Sequence, residues 1–394
     1  MKNKVLQYAL AVIGGSLAFF IAFTCTDNAG IGAAILAWIL IFVLTTSRAK
    51  GGTKRKLHLI GGLEIAVFCL ALAYRNTNAR EILDALEGVS YFYLALSLIC
   101  MFFSMFFRAT RWYYILLPTK KISIHSLFAS IMIGFMGNGV LPMRIGEFLR
   151  AYSISRKEDI KITTSIATIA LERILDGLAV ITLLLILIFI CPIEEVEARL
   201  DVPIRHIGII VTIVYMAAIA FLVILRLKSE AFLRITEKLV GLVSKGIAKK
   251  VSHILDSFLL GLASLKSPSQ LLQIGFHSVL VWISILGVYV TVLKAFSIQI
   301  PFYGYLLLQI FVVIGVLIPT PGFIGPFHYF FKLALTKGFA IDPSLAGACA
   351  IIAHALGFVP VVIVGLFYFL REHLSLKEVE EASEEPLASV QEAK

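Results

Sequence analysis

Arg144, Glu147 and Arg150 stand three residues apart in the stretch NGVLPMRIGEFLRAY, Asn138 to Tyr152. On a helix that spacing puts all three on one face, where the carboxylate can neutralise a guanidinium on either side. A second set follows. Thr164, Thr168, Glu172 and Asp176 recur every fourth residue on an apolar stretch, with Arg173 beside them. Three arginines therefore face three acids in apolar surroundings. An ionised side chain in hydrocarbon costs roughly 2.5 to 3.5 kcal/mol, so all six must pair or line a wet cavity. Three readings fit: a buried ion-pair network tying helices together, arginines at the inner surface touching lipid phosphates, or a substrate site. In the last, Arg144 and Arg150 exchange a carboxylate partner for a phosphate, which planar guanidiniums bind well.

Gly137, Asn138, Gly139 and Pro142 precede this set and break the helix. Glycines let backbone N–H groups approach a ligand, and a helix restarting after Pro142 aims its positive dipole end at the break. Pro319, Pro321, Gly322, Gly325 and Pro326 form a second break in PTPGFIGP. His328 follows it, and His354 shares a helix face with Ala346, Ala350 and Gly357. For both histidines a packed core role and a proton-sensitive or headgroup-contacting role stay open. No P-loop, GxGxxG, HExxH, paired Asp-x-Asp or GxSxG occurs, so neither nucleotide-driven pumping nor a hydrolase or metal-dependent sugar-transfer site is expected. No cofactor or metal is expected either. Cys25, Cys69, Cys100, Cys191 and Cys349 are scattered without CxxC spacing and read as ordinary membrane thiols.

The elements that position these residues follow from composition. With 59% hydrophobic residues, 29 Phe and only 15% charged, and a mean hydropathy of +0.93, the chain reads as all-α and polytopic. Runs long enough to cross a bilayer are Val5 to Phe23, Ile31 to Leu44, Leu57 to Ala73, Tyr91 to Phe107, Thr164 to Ile190, Ile207 to Ile224, Leu271 to Leu293 and Leu345 to Leu370, about eight spans. The first reads as a retained helix rather than a leader. The net charge of +10 sits in short loops and reports topology rather than nucleic-acid binding. Ser47 to Lys56, Arg108 to Lys121 and Arg226 to Lys266 are basic and expected on the cytoplasmic side, whereas NTNAREILDALEG and PIEEVEARLD are expected outside. Both termini then lie in the cytoplasm of a cell-membrane protein.

Two apolar stretches are too short to span. Ile124 to Gly137 breaks and returns as Met143 to Ser155; Phe302 to Leu317 breaks and returns as Phe327 to Thr336. Each reads as a re-entrant hairpin. The charge-derived topology makes the first enter from the cytoplasm and the second from outside, which implies inverted repeats. SIATIALERILDG after the first and SLAGACAIIAHALG after the second echo that symmetry. Residues 1–56 read as an N-terminal hairpin and basic loop, 57–371 as the transmembrane domain with amphipathic cytoplasmic helices at 227–268, and 372–394 as an acidic disordered tail.

At NGVLPMRIGEFLRAY, SIATIALERILDG and IPTPGFIGPFHYFF, with FFRATRWYYILLP ahead of them, the sequence resembles the transmembrane, flippase-like domain of the lysylphosphatidylglycerol synthase family over about Leu57 to Leu370. The resemblance implies a lipid-handling domain whose best-known relatives move aminoacylated phosphatidylglycerol between leaflets. It implies that Asn138, Pro142, Arg144, Gly146, Glu147, Arg150, Glu172, Arg173 and Asp176 occupy the family's polar motif positions. His328 and His354 stand near places where the family usually carries a Glu and often an Arg, so a different headgroup is expected. The large soluble aminoacyl-transfer domain of lysyl-lipid-making relatives is not expected after the last span, nor is lysine transfer.

The expected function is transport, without enzymatic activity, of an anionic or amphipathic lipid, a phospholipid or a polyprenyl-phosphate-linked sugar. Asn138, Arg144, Glu147, Arg150, Glu172, Arg173, Asp176, His328 and His354 are the expected substrate contacts. A membrane-embedded enzyme acting on a headgroup through Glu172, Asp176 or His328, and a non-transporting partner of a lipid-modifying enzyme, are the alternatives. Membrane lipids are the expected partners, with a second copy of the chain or a lipid-modifying enzyme as the protein partner.

Overall fold

The computed structural model describes residues 52–75, 77–141, 145–190, 192–200, 202–227 and 267–375. The first two expected spans, most of the basic stretch at 227–268 and the acidic tail lie outside these residues. Among the described residues the fold is all-helical, as the hydropathy pattern requires. The helices are α1 (Gly52–Tyr74), α2 (Ala79–Glu87), α3 (Tyr91–Leu116), α4 (Ile124–Val140), α5 (Gly146–Glu158) and α6 (Ile162–Ile190). They continue as α7 (Ile193–Leu200), α8 (Ile204–Leu227), α9 (Pro268–Ala295), α10 (Phe302–Leu317), α11 (Pro326–Phe339) and α12 (Pro343–Arg371).

Five of them are long and apolar enough to cross a membrane: Leu57–Tyr74, Tyr91–Leu116, Ile162–Ile190, Pro268–Ala295 and Pro343–Arg371. The expected span at Ile207 to Ile224 lies in α8, whose apolar part joins α7 across a bend of 107°. The chain is a multi-pass membrane protein. Helix starts are set by short polar side chains. Asn78 Oδ1 accepts from Arg80 N at 3.0 Å, Ser123 Oγ from Ser126 N at 3.1 Å, and Asp342 Oδ1 from Ser344 N at 2.8 Å and Leu345 N at 2.9 Å, each covering amide groups that the first turn leaves unpaired.

The residues group into two compact units. One comprises Met1–Leu94, Asn138–Ile145 and Thr291–Phe358, the other Ala95–Gly137, Gly146–Val290 and Val359–Lys394. In the second unit α4 and α5 form an antiparallel hairpin. Ser130 and Ser153 hydroxyls lie 3.0 Å apart, and a Cβ on Gly134 would come within 2.7 Å of Arg150 Cβ, one on Gly137 within 2.9 Å of Gly146 Cα. Only residues without side chains permit that approach. In the same unit α3 runs antiparallel to α9, with Ser97 Oγ donating to Val288 O at 3.4 Å. Helix α8 packs antiparallel on α6, Tyr215 Oη donating to Ile174 O at 2.5 Å.

In the first unit α10 and α11 make the other antiparallel hairpin. Tyr303 and Phe339 rings meet at its open end, 5.9 Å apart, and Gly315 abuts Pro326 at its tip. Helix α1 lies along α11 in the same direction, Gly62 against Pro321 and Ala66 against Gly325. With 17 and 16 residues, α4 and α10 at about 1.5 Å per residue fall short of a bilayer's hydrocarbon. Each hairpin is followed by a helix of 29 residues, α6 and α12.

One expectation needs correction here. The span read as ending at Phe107 runs on, because α3 continues to Leu116 and buries Arg111 completely, so Arg108 to Leu116 is helix rather than loop. No Gly or Pro interrupts the chain between Tyr91 and Pro118, so nothing stops the helix at Phe107.

Candidate functional site

The charged cluster is built on α3, α5 and α6 of the second unit. Helix α6 supplies Thr168, Glu172, Arg173 and Asp176; α5 supplies Glu147 and Arg150; α3 supplies Arg108, Arg111 and Trp112. Arg150 Nη1 donates to Glu172 Oε2 at 2.5 Å, and Arg111 Nη1 to Asp176 Oδ1 at 2.8 Å. Arg108 Nη1 donates to Asp176 Oδ2 at 3.3 Å, and Arg111 Nε lies 3.8 Å from Glu172 Oε1. Arg111 also reaches Ser278 Oγ on α9 at 3.4 Å. The two inner residues are sealed, Glu172 with 1% and Arg111 with 0% of the side chain exposed. Arg173 and Glu147, 3.7 Å apart, keep 42% and 45% of theirs exposed, so the cluster grades from a buried end to an open one.

Trp112 orients the buried end. Fully buried, it donates from Nε1 to Thr168 Oγ1 at 3.0 Å, and the Arg150 guanidinium lies over its ring at 3.7 Å. A flat aromatic face under a flat cation fixes the plane in which Arg150 presents its donors.

The polar accounting of this cluster does not close. Nε and Nη2 of Arg150, Nε and Nη2 of Arg111, Nε of Arg108 and Oε1 of Glu172 are buried with no hydrogen-bond partner among the described residues. Buried polar groups are nearly always partnered, so each exception asks for a reason. Charge does not close either. Arg108, Arg111, Arg150 and Arg173 face Glu147, Glu172 and Asp176, leaving an excess of positive charge among the described residues. Arrayed guanidinium donors with surplus charge suit an anion with several acceptor oxygens.

Several expected contacts are redistributed. Arg144 and Pro142 lie outside the described residues, and α5 begins at Gly146, after Arg144. Glu147 is held by Arg173 on α6 rather than by Arg150 one turn along its own helix. Arg108 and Arg111 join the site without having been expected there. Their signal was an arginine pair at i, i+3 on an unbroken apolar helix, next to a tryptophan. Asn138 is half-buried near the end of α4 and belongs to the first unit.

The second break lies wholly in the first unit. A 3-10 turn over Pro321–Phe323 follows Ile318 to Thr320, with Gly322 at φ 63° and Gly325 at φ 92°. Gly325 has no alternative, because a Cβ there would sit 2.3 Å from Ala66 O. Thr320 Oγ1 donates to Ile324 O at 3.0 Å, and Phe323 N donates to Thr320 O at 3.1 Å, so the break meets backbone needs internally. His354 on α12 pairs with Gly322 O at 2.7 Å, and its ring lies 4.7 Å from that of His328. Phe358 joins the two breaks: a Cβ on Gly139 would come within 2.6 Å of its ring and one on Gly322 within 3.3 Å. On α11, Lys332 Nζ donates to Ala73 O at 2.5 Å near the end of α1. That end carries partial negative charge, which suits a cation. Among the described residues no three His, Cys, Asp or Glu side chains gather as a metal site.

Comparison with known proteins agrees with a membrane-spanning chain. The family described as "Lysylphosphatidylglycerol synthase TM region" matches residues 59–365. The chain is 23% identical over 384 residues to "Glycosyltransferase AglD" of Haloferax volcanii, covering 91% of this chain and 61% of that protein. It thus spans less than two thirds of the relative's length. No solved structure matches.

Proposed function

The chain belongs to the lysylphosphatidylglycerol synthase TM region family, and from that premise we propose that it moves a phosphate-bearing lipid between membrane leaflets. The observation that carries this reading is the set of buried guanidinium N–H groups left over after the carboxylates are paired. In a membrane the anion with several oxygens is a lipid headgroup. Guanidinium binds phosphate through paired, charge-assisted hydrogen bonds.

Glu172 and Asp176 hold Arg111 and Arg150 in place between transport events and keep most of the charge balanced. Arg173 and Glu147, half exposed, meet the headgroup first, and it then passes to the inner arginines while its tails stay in hydrocarbon. Asn138 and Arg144 contribute donors beside the first break. The two hairpins act as inverted repeats entering from opposite faces, and alternating access follows from rocking one repeat against the other. Basic loops keep both termini in the cytoplasm and the protein in the cell membrane. No enzymatic step is included. The cargo is a phospholipid or a polyprenyl-phosphate-linked sugar, and a second copy or a lipid-modifying enzyme is the protein partner.

The name of the Haloferax relative favours one second reading, in which the chain serves sugar transfer onto a lipid as the membrane partner of an enzyme. Leaflet exchange separates the two. Purified protein in proteoliposomes is given headgroup-labelled phospholipids and polyprenyl-phosphate lipids with an outer-leaflet quencher, and Arg150→Gln and Glu172→Gln are compared with wild type. Exchange of one lipid class, lost in either folded variant, supports transport. Absence of exchange for every lipid, or variants equal to wild type, rejects it.

A further inference from the structure

We propose that His328 and His354 form a site for one proton, and that its occupancy sets the shape of the second break. The consequence for transport rests on the reading above; the proton site itself does not. Both histidines lie beside the second break, His354 on the Gly322 carbonyl and His328 against the His354 ring. The His354 ring stacks on Phe358 at 5.3 Å and 18°, the ring that both Gly139 and Gly322 approach. Phe327 closes its edge at 5.2 Å.

Each neutral ring keeps one basic nitrogen. A carbonyl oxygen only accepts, so the 2.7 Å contact with Gly322 O puts a hydrogen on His354 Nε2 and a lone pair on Nδ1 in the neutral ring. His328 is 6% exposed, and its Nδ1 has no hydrogen-bond partner among the described residues. A proton delivered by hydronium adds to one of these lone pairs, leaving water behind and breaking no bond in the protein. A second cation at 4.7 Å between ring centroids is repelled in a medium of low dielectric, so the pair takes one proton as a unit.

The surroundings offer few competitors. Tyr74 on α1 lies 6.2 Å from the His328 ring. Lys332, one turn along α11, sits 5.8 Å from the Tyr74 ring and opposes a second positive charge. Earlier turns of α1 carry His58, Glu64 and Cys69; α12 carries Cys349, and α10 carries no charged side chain.

Gly322 is the residue through which the proton acts. Its left-handed backbone is pinned by the His354 N–H, and charging that imidazole strengthens the bond while stiffening the neighbouring turn. Charging His328 instead draws that ring toward the neutral His354 ring, as a cation toward an aromatic face, and pulls against the stack on Phe358. Either way, proton binding changes how firmly the break is held.

Two measurements test this on the full chain in lipid nanodiscs and in proteoliposomes. Magnetic resonance of isotope-labelled histidine is followed from about pH 5 to about pH 8, with and without phosphate lipid. The expected result is a single coupled titration of both imidazoles, displaced by His354→Gln at His328. Leaflet exchange over the same range is expected to change in wild type by at most about tenfold per pH unit, the slope of one proton, and to go flat in His328→Gln and His354→Gln. Independent titrations of the two rings, or no titration of either with and without lipid, overturn the proposal. So does a pH profile of exchange that both variants leave intact. If wild type exchanges no lipid at any pH, the transport reading fails, and the resonance titration in unmodified protein still decides the proton site.

Discussion

The α3/α5/α6 cluster and the second break solve the same problem, polar groups within an apolar protein, with different chemistry. The cluster uses guanidiniums, which stay charged at any physiological pH, so they need standing counter-charges, which Glu172 and Asp176 on one helix face provide in part. The break uses imidazoles and backbone carbonyls, which are neutral until a proton arrives. Permanent charge suits holding an anion. Titratable groups suit timing.

Substitutions sharpen or break that contrast. The largest effect is expected for Glu172→Leu, which leaves the buried Arg150 without its partner and Arg111 with Asp176 alone. Removing one member of a buried pair typically costs about 3 to 5 kcal/mol, read as a large drop in melting temperature in detergent; Glu172→Leu melting like wild type would mean the charges are not sealed as described. Gly139→Ala is next. Its methyl meets the Phe358 ring within 2.6 Å, and overpacking of this kind costs about 1 to 3 kcal/mol. Gly322→Ala is strained by its positive φ at about 1 to 2 kcal/mol, and the variant is expected to alter the pH profile of exchange without changing which lipid is carried. Trp112→Phe keeps a ring under Arg150 and removes one hydrogen bond to Thr168, about 1 kcal/mol; exchange should survive it. Smallest is Glu147→Gln, where the pair with Arg173 is nearly half exposed and its loss costs below about 1 kcal/mol. A melting shift as large as that of Glu172→Leu would erase the inner and outer ends of the cluster.

Much of this was legible in the sequence, for identifiable reasons. The hairpins announced themselves because an apolar run too short for a bilayer, ended by Gly and Pro, has few other solutions. The stripe of Thr168, Glu172 and Asp176 was legible because a helix maps four-residue spacing onto one face. Arg108 and Arg111 were not, because charge near the end of an apolar run reads equally well as a loop signal, and only the acids on α6 decide between a loop and a buried pair. The pairing of Glu147 with Arg173 was hidden for a related reason: within one helix the nearest arginine is evident, while a partner on a neighbouring helix depends on packing. The histidine pair joins residues 328 and 354 across two helices, and no local pattern encodes that meeting.

The most direct test of the anion site uses the residue the sequence did not single out. Leaflet exchange of a phosphate lipid is measured in proteoliposomes for wild type, Arg111→Lys and Arg111→Gln, at equal amounts of folded protein. The account predicts loss of at least about tenfold for Arg111→Gln, equivalent to about 1.4 kcal/mol, and a smaller loss for Arg111→Lys, which keeps the charge without the fork of donors. Wild-type exchange in folded Arg111→Gln would contradict it and leave the arginines as structural ties between α3, α5 and α6.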